Sequence, residues 1–281
     1  MTAHELRPFT HVLHVDRTGS TSTDLREAAT ADPAAWPHMS VLVADAQDAG
    51  RGRAGRTWVT APGTALTASV LLRPRVPAGR LAWVTLLAGL AVKRATAELT
   101  GLPTGVKWPN DVLVLRAGDE EIDGWGTDRK VAGILAEVLP EAHPEAEPGV
   151  IIGIGVNVAQ AESQLPVPWA TSLHLAAGRA GAAARPTVSE VLLACGRHLA
   201  ALVARWEEFD GDAHAAGLAE QVRGACVTLG RRVRAELPGE RSVTGVAVEL
   251  DPDGHLVVRT ADGERTTVRA GDVLHMRTAG A

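Results

Sequence analysis

Seven consecutive residues, Gly50-Arg-Gly-Arg-Ala-Gly-Arg56, set three arginines among three glycines. The arginine fork is a permanent cation that pairs with phosphate or carboxylate oxygens. Glycine reaches positive φ and lets the backbone approach a ligand. The combination suits a cationic loop that closes over an anion, and it equally suits a solvated basic turn. Lysine usage narrows the search for residues that work with that loop. Of 28 basic residues only three are lysine: Lys93, Lys107 and Lys130. This bias matches a GC-rich coding sequence. A lysine retained against it marks a place for a slim point charge where a broad guanidinium does not fit. Lys93 sits in a helical stretch with no motif around it and reads as a surface residue.

Lys107 opens Lys107-Trp-Pro-Asn-Asp111. An aromatic, a rigid proline and two short polar residues can build a flat-walled pocket; Pro, Asn and Asp also end strands in ordinary turns. Lys130 opens Lys130-Val-Ala-Gly-Ile-Leu135, a strand in which Gly133 leaves room on the face of Val131 and Leu135. The plain alternative is an edge lysine that discourages aggregation. Gly153-Ile-Gly-Val-Asn157 puts glycines in an apolar strand, for ligand approach or for tight packing, with Asn157 as a polar tip.

There is no Gly-x-x-x-x-Gly-Lys-Ser/Thr loop, no Gly-x-Gly-x-x-Gly after a strand and no Gly-x-Ser-x-Gly. P-loop, Rossmann and α/β-hydrolase chemistry are therefore set aside. The remaining set suits activation of a carboxylate by a nucleotide. There a negative carboxylate meets a negative phosphate, and cations must offset the repulsion as pyrophosphate leaves.

The elements that must position these residues follow from periodicity. Strands are predicted over 11–15, 40–45, 64–72, 131–139 and 150–158, the last two as neighbours, and one over 105–115 interrupted by the Trp-Pro-Asn-Asp turn. Helices are predicted from Ser20, with Thr21 and Asp24 at capping-box spacing, over 80–99 and over 189–209. Residues 116–129 and the Ala/Gly-rich 176–184 read as loops. Turns are expected at 140–149, 238–239 and 271–272. After Arg223 come five short strand-like runs separated by such turns, which suggests a small β-barrel. The chain has 281 residues and a net charge of −5, against a general nucleic-acid binder. Cys195 and Cys226 read as reduced, buried thiols. No signal peptide is read, and the most apolar stretch is too short for a membrane span, so a soluble cytoplasmic protein is expected.

The order and spacing of these motifs resemble the biotin protein ligases, from about Val15 to Met276. The resemblance implies an α+β fold: a mixed-sheet catalytic domain of the biotin/lipoate ligase type with helices packed on it, plus a C-terminal SH3-like β-barrel. The implied division is 1–222 for the biotin/ATP-binding domain and 223–281 for the barrel. It also implies roles. Ser20, Thr21, Ser22, Gln47, Arg51, Gly52, Arg53, Lys130 and Gly133 contact biotin. Arg51, Arg53, Trp58, Lys107, Trp108, Asn110, Asp111 and Asn157 contact ATP or the adenylate. Lys130 and Arg53 carry the catalytic charge. Two departures stand out: Ser22 occupies the place of a family asparagine, and residues 116–129 exceed a simple hairpin.

The activity so implied is formation of biotinyl-5′-adenylate from biotin and ATP with Mg2+, then transfer of biotin to a lysine of a biotin carboxyl carrier protein of an acetyl-CoA carboxylase type enzyme. The expected state is a monomer or weak homodimer, with no nucleic-acid or membrane partner. Some members also repress transcription through an N-terminal DNA-binding domain. Only 19 residues precede Ser20, too few for one, so a monofunctional member is expected. The alternative is a lipoate or octanoate ligase of related fold, against which the arginine loop and Lys107–Asp111 argue.

Overall fold

The structure, a computed structural model, describes residues 7–139, 149–237, 241–269 and 272–276. The expected turns at 140–149, 238–239 and 271–272 lie wholly or partly outside them.

Seven strands form the first sheet. They are β1 (His11–Thr18), β2 (Ser40–Gln47), β3 (Ala65–Leu72), β4 (Thr104–Lys107), β5 (Asp111–Val114), β6 (Arg129–Val138) and β7 (Val150–Asn157). Their order is β1-β2-β3-β7-β6-β5-β4. Only β1 and β2 run parallel, because α1 (Thr21–Ala31) crosses over between them; the other neighbours are antiparallel. The apolar residues of β3 and β7 divide by face. Leu66, Ala68, Val70, Leu72, Ile152, Ile154 and Val156 join the main core, whereas Leu71 and Ile151 pack in a second cluster with Leu25 and Ala29 of α1.

Two long helices, α2 (Trp83–Thr100) and α4 (Val188–Glu207), cover the main-core face. A capping box starts α4: Glu190 N donates to Thr187 Oγ1 at 3.2 Å, and Thr187 N donates to Glu190 Oε2 at 2.7 Å. No such box starts α1. Ser20 is the N-cap without a side-chain bond, and the Asp24 carboxylate instead accepts from the Thr18 hydroxyl. Two helices lie where none was expected. The first, α3 (Leu173–Arg179), is capped by Ser172 and buries Leu173, Ala176 and Ala177. Its alanines gave no contrast between faces. The second, α5 (Leu218–Ala225), runs through the expected 222/223 boundary.

The second sheet is antiparallel: β8 (Arg232–Leu237), β9 (Arg241–Leu250), β10 (Leu256–Arg259), β11 (Arg265–Val268) and β12 (Asp272–His275), in the order β11-β10-β9-β8-β12. It is of the SH3-like barrel type and joins the main core rather than hanging from it. Its turn at Gly254 (φ 82) presses on α2, where Trp83 Nε1 donates to Pro252 O at 2.9 Å. Cys195 and Cys226 are buried thiols, and burial raises the Cys195 pKa to about 12. Among the described residues no helix is long and apolar enough to cross a membrane.

Candidate functional site

A cavity of about 310 Å³ opens on the α1 side of the sheet. Its floor is read from strand register. Thr67 of β3, Gly155 of β7, Gly133 of β6 and Asp111 of β5 form one row, and Ser69, Gly153 and Leu135 form the next. The glycines create the depression. A Cβ on Gly155 would stand 2.5 Å from Trp58 Cε2, and one on Gly153 would stand 3.0 Å from Ser22 Oγ.

One end is neutral and rich in hydrogen-bonding groups. The buried Ser20, Thr21 and Ser22 begin α1. Thr21 N and Oγ1 both donate to Gln47 Oε1, at 2.8 and 3.0 Å. Ser69 Oγ lies 2.8 Å from Thr21 Oγ1 and 2.9 Å from Ser22 Oγ. The serine at position 22 therefore shares a hydroxyl network that reaches across to β3. Such an end suits a neutral ligand head with both donors and acceptors.

The other end is charged. Strict alternation would put Lys130 on the face opposite Gly133. A bulge between Val112 and Leu113 pairs Val112 with Ala132 but Leu113 with Lys130, which turns Lys130 onto the Gly133 face. There a Cβ on Gly133 would stand 3.2 Å from Lys130 Nζ. Lys130 Nζ lies 2.6 Å from Asp111 Oδ1. Asn110 Nδ2 donates to Ile134 O at 2.9 Å, and Asn157 Nδ2 to Thr171 O at 3.0 Å. Both asparagines thus line the cavity while tying down its walls. The segment Pro166–Ala170 forms the far wall, fixed to β6 by Lys130 N donating to Trp169 O at 2.7 Å.

The arginine loop caps the cavity as a small hairpin. Trp58 N donates to Gly50 O at 2.9 Å, and Arg51 bridges Thr57. Gly50 is needed at the base, because a Cβ there would meet Trp58 O at 2.4 Å. Arg53 and Gly52 face the cavity. Arg51, also in the lining, is held by Glu137 Oε2 at 2.9 Å, and Arg26 holds the other carboxylate oxygen at 2.7 Å. Half-exposed pairs of this kind contribute about 0.2–1 kcal/mol. Trp58 lies over Gly155, with Lys130 Nζ 5.8 Å from its ring centroid. Trp58 Nε1 and Thr67 Oγ1, both in the lining, are buried and make no hydrogen bond within the protein.

Every expected site residue lines this cavity except Lys107 and Trp108. Both are buried: Lys107 pairs with Asp111 and continues the floor row one strand beyond the cavity, while Trp108 joins the main core. Trp108 Nε1 donates to Gly254 O at 3.0 Å and anchors the second sheet. Lys107 Nζ sits 3.6 Å from the Trp125 ring centroid. The sequence reading missed Thr67, Ser69 and Trp169. The two hydroxyls interrupt the apolar Ala65–Leu72 run at alternate positions, a signal that could have found them. Trp169 lies in an irregular segment and left none.

The chain is similar to proteins of one known family. The chain matches the biotin/lipoate A/B protein ligase family over residues 15–157 and the biotin protein ligase C-terminal domain over residues 228–276. A biotin–[acetyl-CoA-carboxylase] ligase of Mycobacterium tuberculosis is 39% identical over 269 residues, covering 94% of this chain and 88% of that protein. The biotin protein ligase from Aquifex aeolicus in complex with biotin and ATP has a TM-score of 0.71 at 28% identity, covering 96% of this chain and 100% of the other. The Leishmania major biotin protein ligase in complex with biotinyl-5-AMP has a TM-score of 0.59 at 26% identity, covering 93% and 99%.

Proposed function

The chain belongs to the biotin/lipoate A/B protein ligase family, and from that premise we infer how its cavity joins biotin to ATP and passes it to a carrier lysine. The enzyme activates biotin with ATP and transfers it to protein. In the first step a biotin carboxylate oxygen bonds to the α-phosphorus of ATP and the bond to pyrophosphate breaks, leaving biotinyl-5′-adenylate. In the second a neutral lysine amine bonds to the acyl carbon, AMP leaves with the electron pair, and the amine loses a proton.

The neutral network of Thr21, Ser22, Gln47 and Ser69 takes the ureido head of biotin. That orients the carboxylate toward Lys130, where it meets the α-phosphate. Lys130 and Arg53 offset the charge that develops there, a role worth about 10²–10³-fold in rate for one well-placed donor. Arg51 joins them when it leaves Glu137. The hairpin and Trp58 shield the mixed anhydride from water. The base packs toward Trp169. Among the described residues no group of three metal-ligating side chains occurs, and Asp111, the carboxylate in the lining, is already paired with Lys130. Mg2+ would accompany ATP on its triphosphate oxygens.

The observation that supports this reading is that four motifs far apart in sequence line one cavity, with a neutral end and a cationic end in series. The finer reading is that the carrier is a biotin carboxyl carrier domain of an acyl-CoA carboxylase. The chain would act on it in the cytoplasm as a monomer or weak homodimer. Biotin-dependent ATP–pyrophosphate exchange tests the activity, with lipoate as control. Exchange with biotin and none with lipoate is expected; exchange with lipoate alone would overturn it.

A further inference from the structure

The loop Arg116–Arg129 is longer than a hairpin needs, and its tip is built with care. Gly124 (φ 74) and Gly126 (φ 58) take backbone conformations that favour glycine, on either side of Trp125. The Trp125 ring lies nearly parallel to that of Trp169, at 10° with centroids 5.8 Å apart. Trp169 belongs to the cavity wall, and its carbonyl holds the Lys130 amide. The same Trp125 ring receives Lys107 Nζ at 3.6 Å, a cation–π contact made away from bulk water. Thus one residue of the loop braces the aromatic wall and occupies the buried lysine of the Lys107–Asp111 motif.

The loop is also tied to the second sheet. Asp128 N donates to Trp125 O at 3.1 Å, so the two residues share a turn. The Asp128 carboxylate accepts from Arg116 N at 3.0 Å, which closes the loop, and from Arg231 Nη2 at 3.0 Å. Arg231 lies just ahead of β8 and also approaches His275 Nδ1 of β12 at 3.4 Å. A continuous set of contacts therefore runs from the second sheet through Arg231, Asp128 and Trp125 to Trp169.

We propose that Trp125 is a positioning residue for the nucleotide half of the site, and that the loop carrying it makes the second sheet part of that positioning. This rests on the biotin–ATP reading above. Trp125 packs on Lys107 and Trp169, both on the nucleotide side, so its loss acts on ATP and leaves the hydroxyl end as it was.

The test is initial-rate ATP–pyrophosphate exchange by the full chain, varying ATP and biotin separately. Trp125→Ala raises the KM for ATP about 3- to 10-fold, the scale of one aromatic pair, with the KM for biotin within about 2-fold. Trp125→Phe keeps the stack and restores most of the loss. Arg231→Gln shifts the ATP KM in the same direction, and its effect largely disappears in the Trp125→Ala background. An unchanged ATP KM in Trp125→Ala overturns the proposal. So does an equal rise for ATP and biotin, which marks general loosening of the fold. Lack of biotin-dependent exchange by the unmodified chain overturns the biotin–ATP reading itself, and this proposal with it.

Discussion

Lys130 Nζ stands 2.6 Å from Asp111 Oδ1, and neither side chain is more than a quarter exposed. The pair sits at the end of the Thr67–Gly155–Gly133–Asp111 row, in the charged end of the cavity. The carboxylate fixes the ammonium without neutralising its use, since an ammonium has three donors and Asp111 takes one direction.

Lys130→Ala should cut pyrophosphate exchange by about 10²–10³-fold with little change in melting temperature. Lys130→Arg should fail nearly as badly, because the slot over Gly133 admits a slim ammonium and crowds a planar fork. Exchange rates of the two variants check this; an arginine variant with wild-type rate would contradict it.

Thr67→Val is expected to move stability and binding in opposite directions. The Thr67 hydroxyl is buried and makes no hydrogen bond within the protein. Such a group destabilises by about 1–3 kcal/mol, so valine should raise the melting temperature of the free enzyme. It should also weaken biotin binding several-fold by removing a bond that the ligand completes. Calorimetry with and without biotin measures both, and a variant that melts lower would count against the ligand role.

Glu137 is a latch for the loop. Glu137→Gln removes the charge that holds Arg51 and Arg26. A pair worth about 0.2–1 kcal/mol corresponds to roughly a 1.5- to 5-fold change in the population of the released loop. Trypsin should therefore cut at Arg51, Arg53 or Arg56 faster by about that factor in the empty variant, with protection restored by biotin and ATP. Equal cleavage rates in the two proteins would remove the latch role.

Acid stability should report on His275. Burial first, then Lys107 and Arg231, push its imidazole pKa down to about 3. In the unfolded chain a histidine titrates near about 6.5. Between those values the unfolded state binds more protons, so the stability that depends on neutral His275 is fully present above about pH 6.5. It falls as pH drops toward 3, at up to about 1.4 kcal/mol per pH unit. His275→Gln should flatten that acid limb in urea titrations taken from pH 7 to 4; an unchanged slope would assign the acid sensitivity elsewhere.

The sequence by itself determined the residue types and the element order. Three lysines against 25 arginines pointed to Lys107 and Lys130, and alternation placed β2, β3, β6 and β7, because period-two patterns follow directly from strand geometry. It also indicated the small β-domain, whose turns are written in Gly, Pro and Asp. The tertiary structure decided which of those residues share a space. The bulge opposite Val112 carries Lys130 onto the Gly133 face, a change of parity that no local pattern encodes. The docking of β4 against the segment after α5 buried both residues, Lys107 under the Trp125 ring beside Asp111 and Trp108 against the second sheet. The same packing gave the Arg116–Arg129 loop its role, since Asp128 and Arg231 are 103 residues apart. Contacts at such separations depend on how whole sheets dock, and that is set by the shared core and not by any window of the chain.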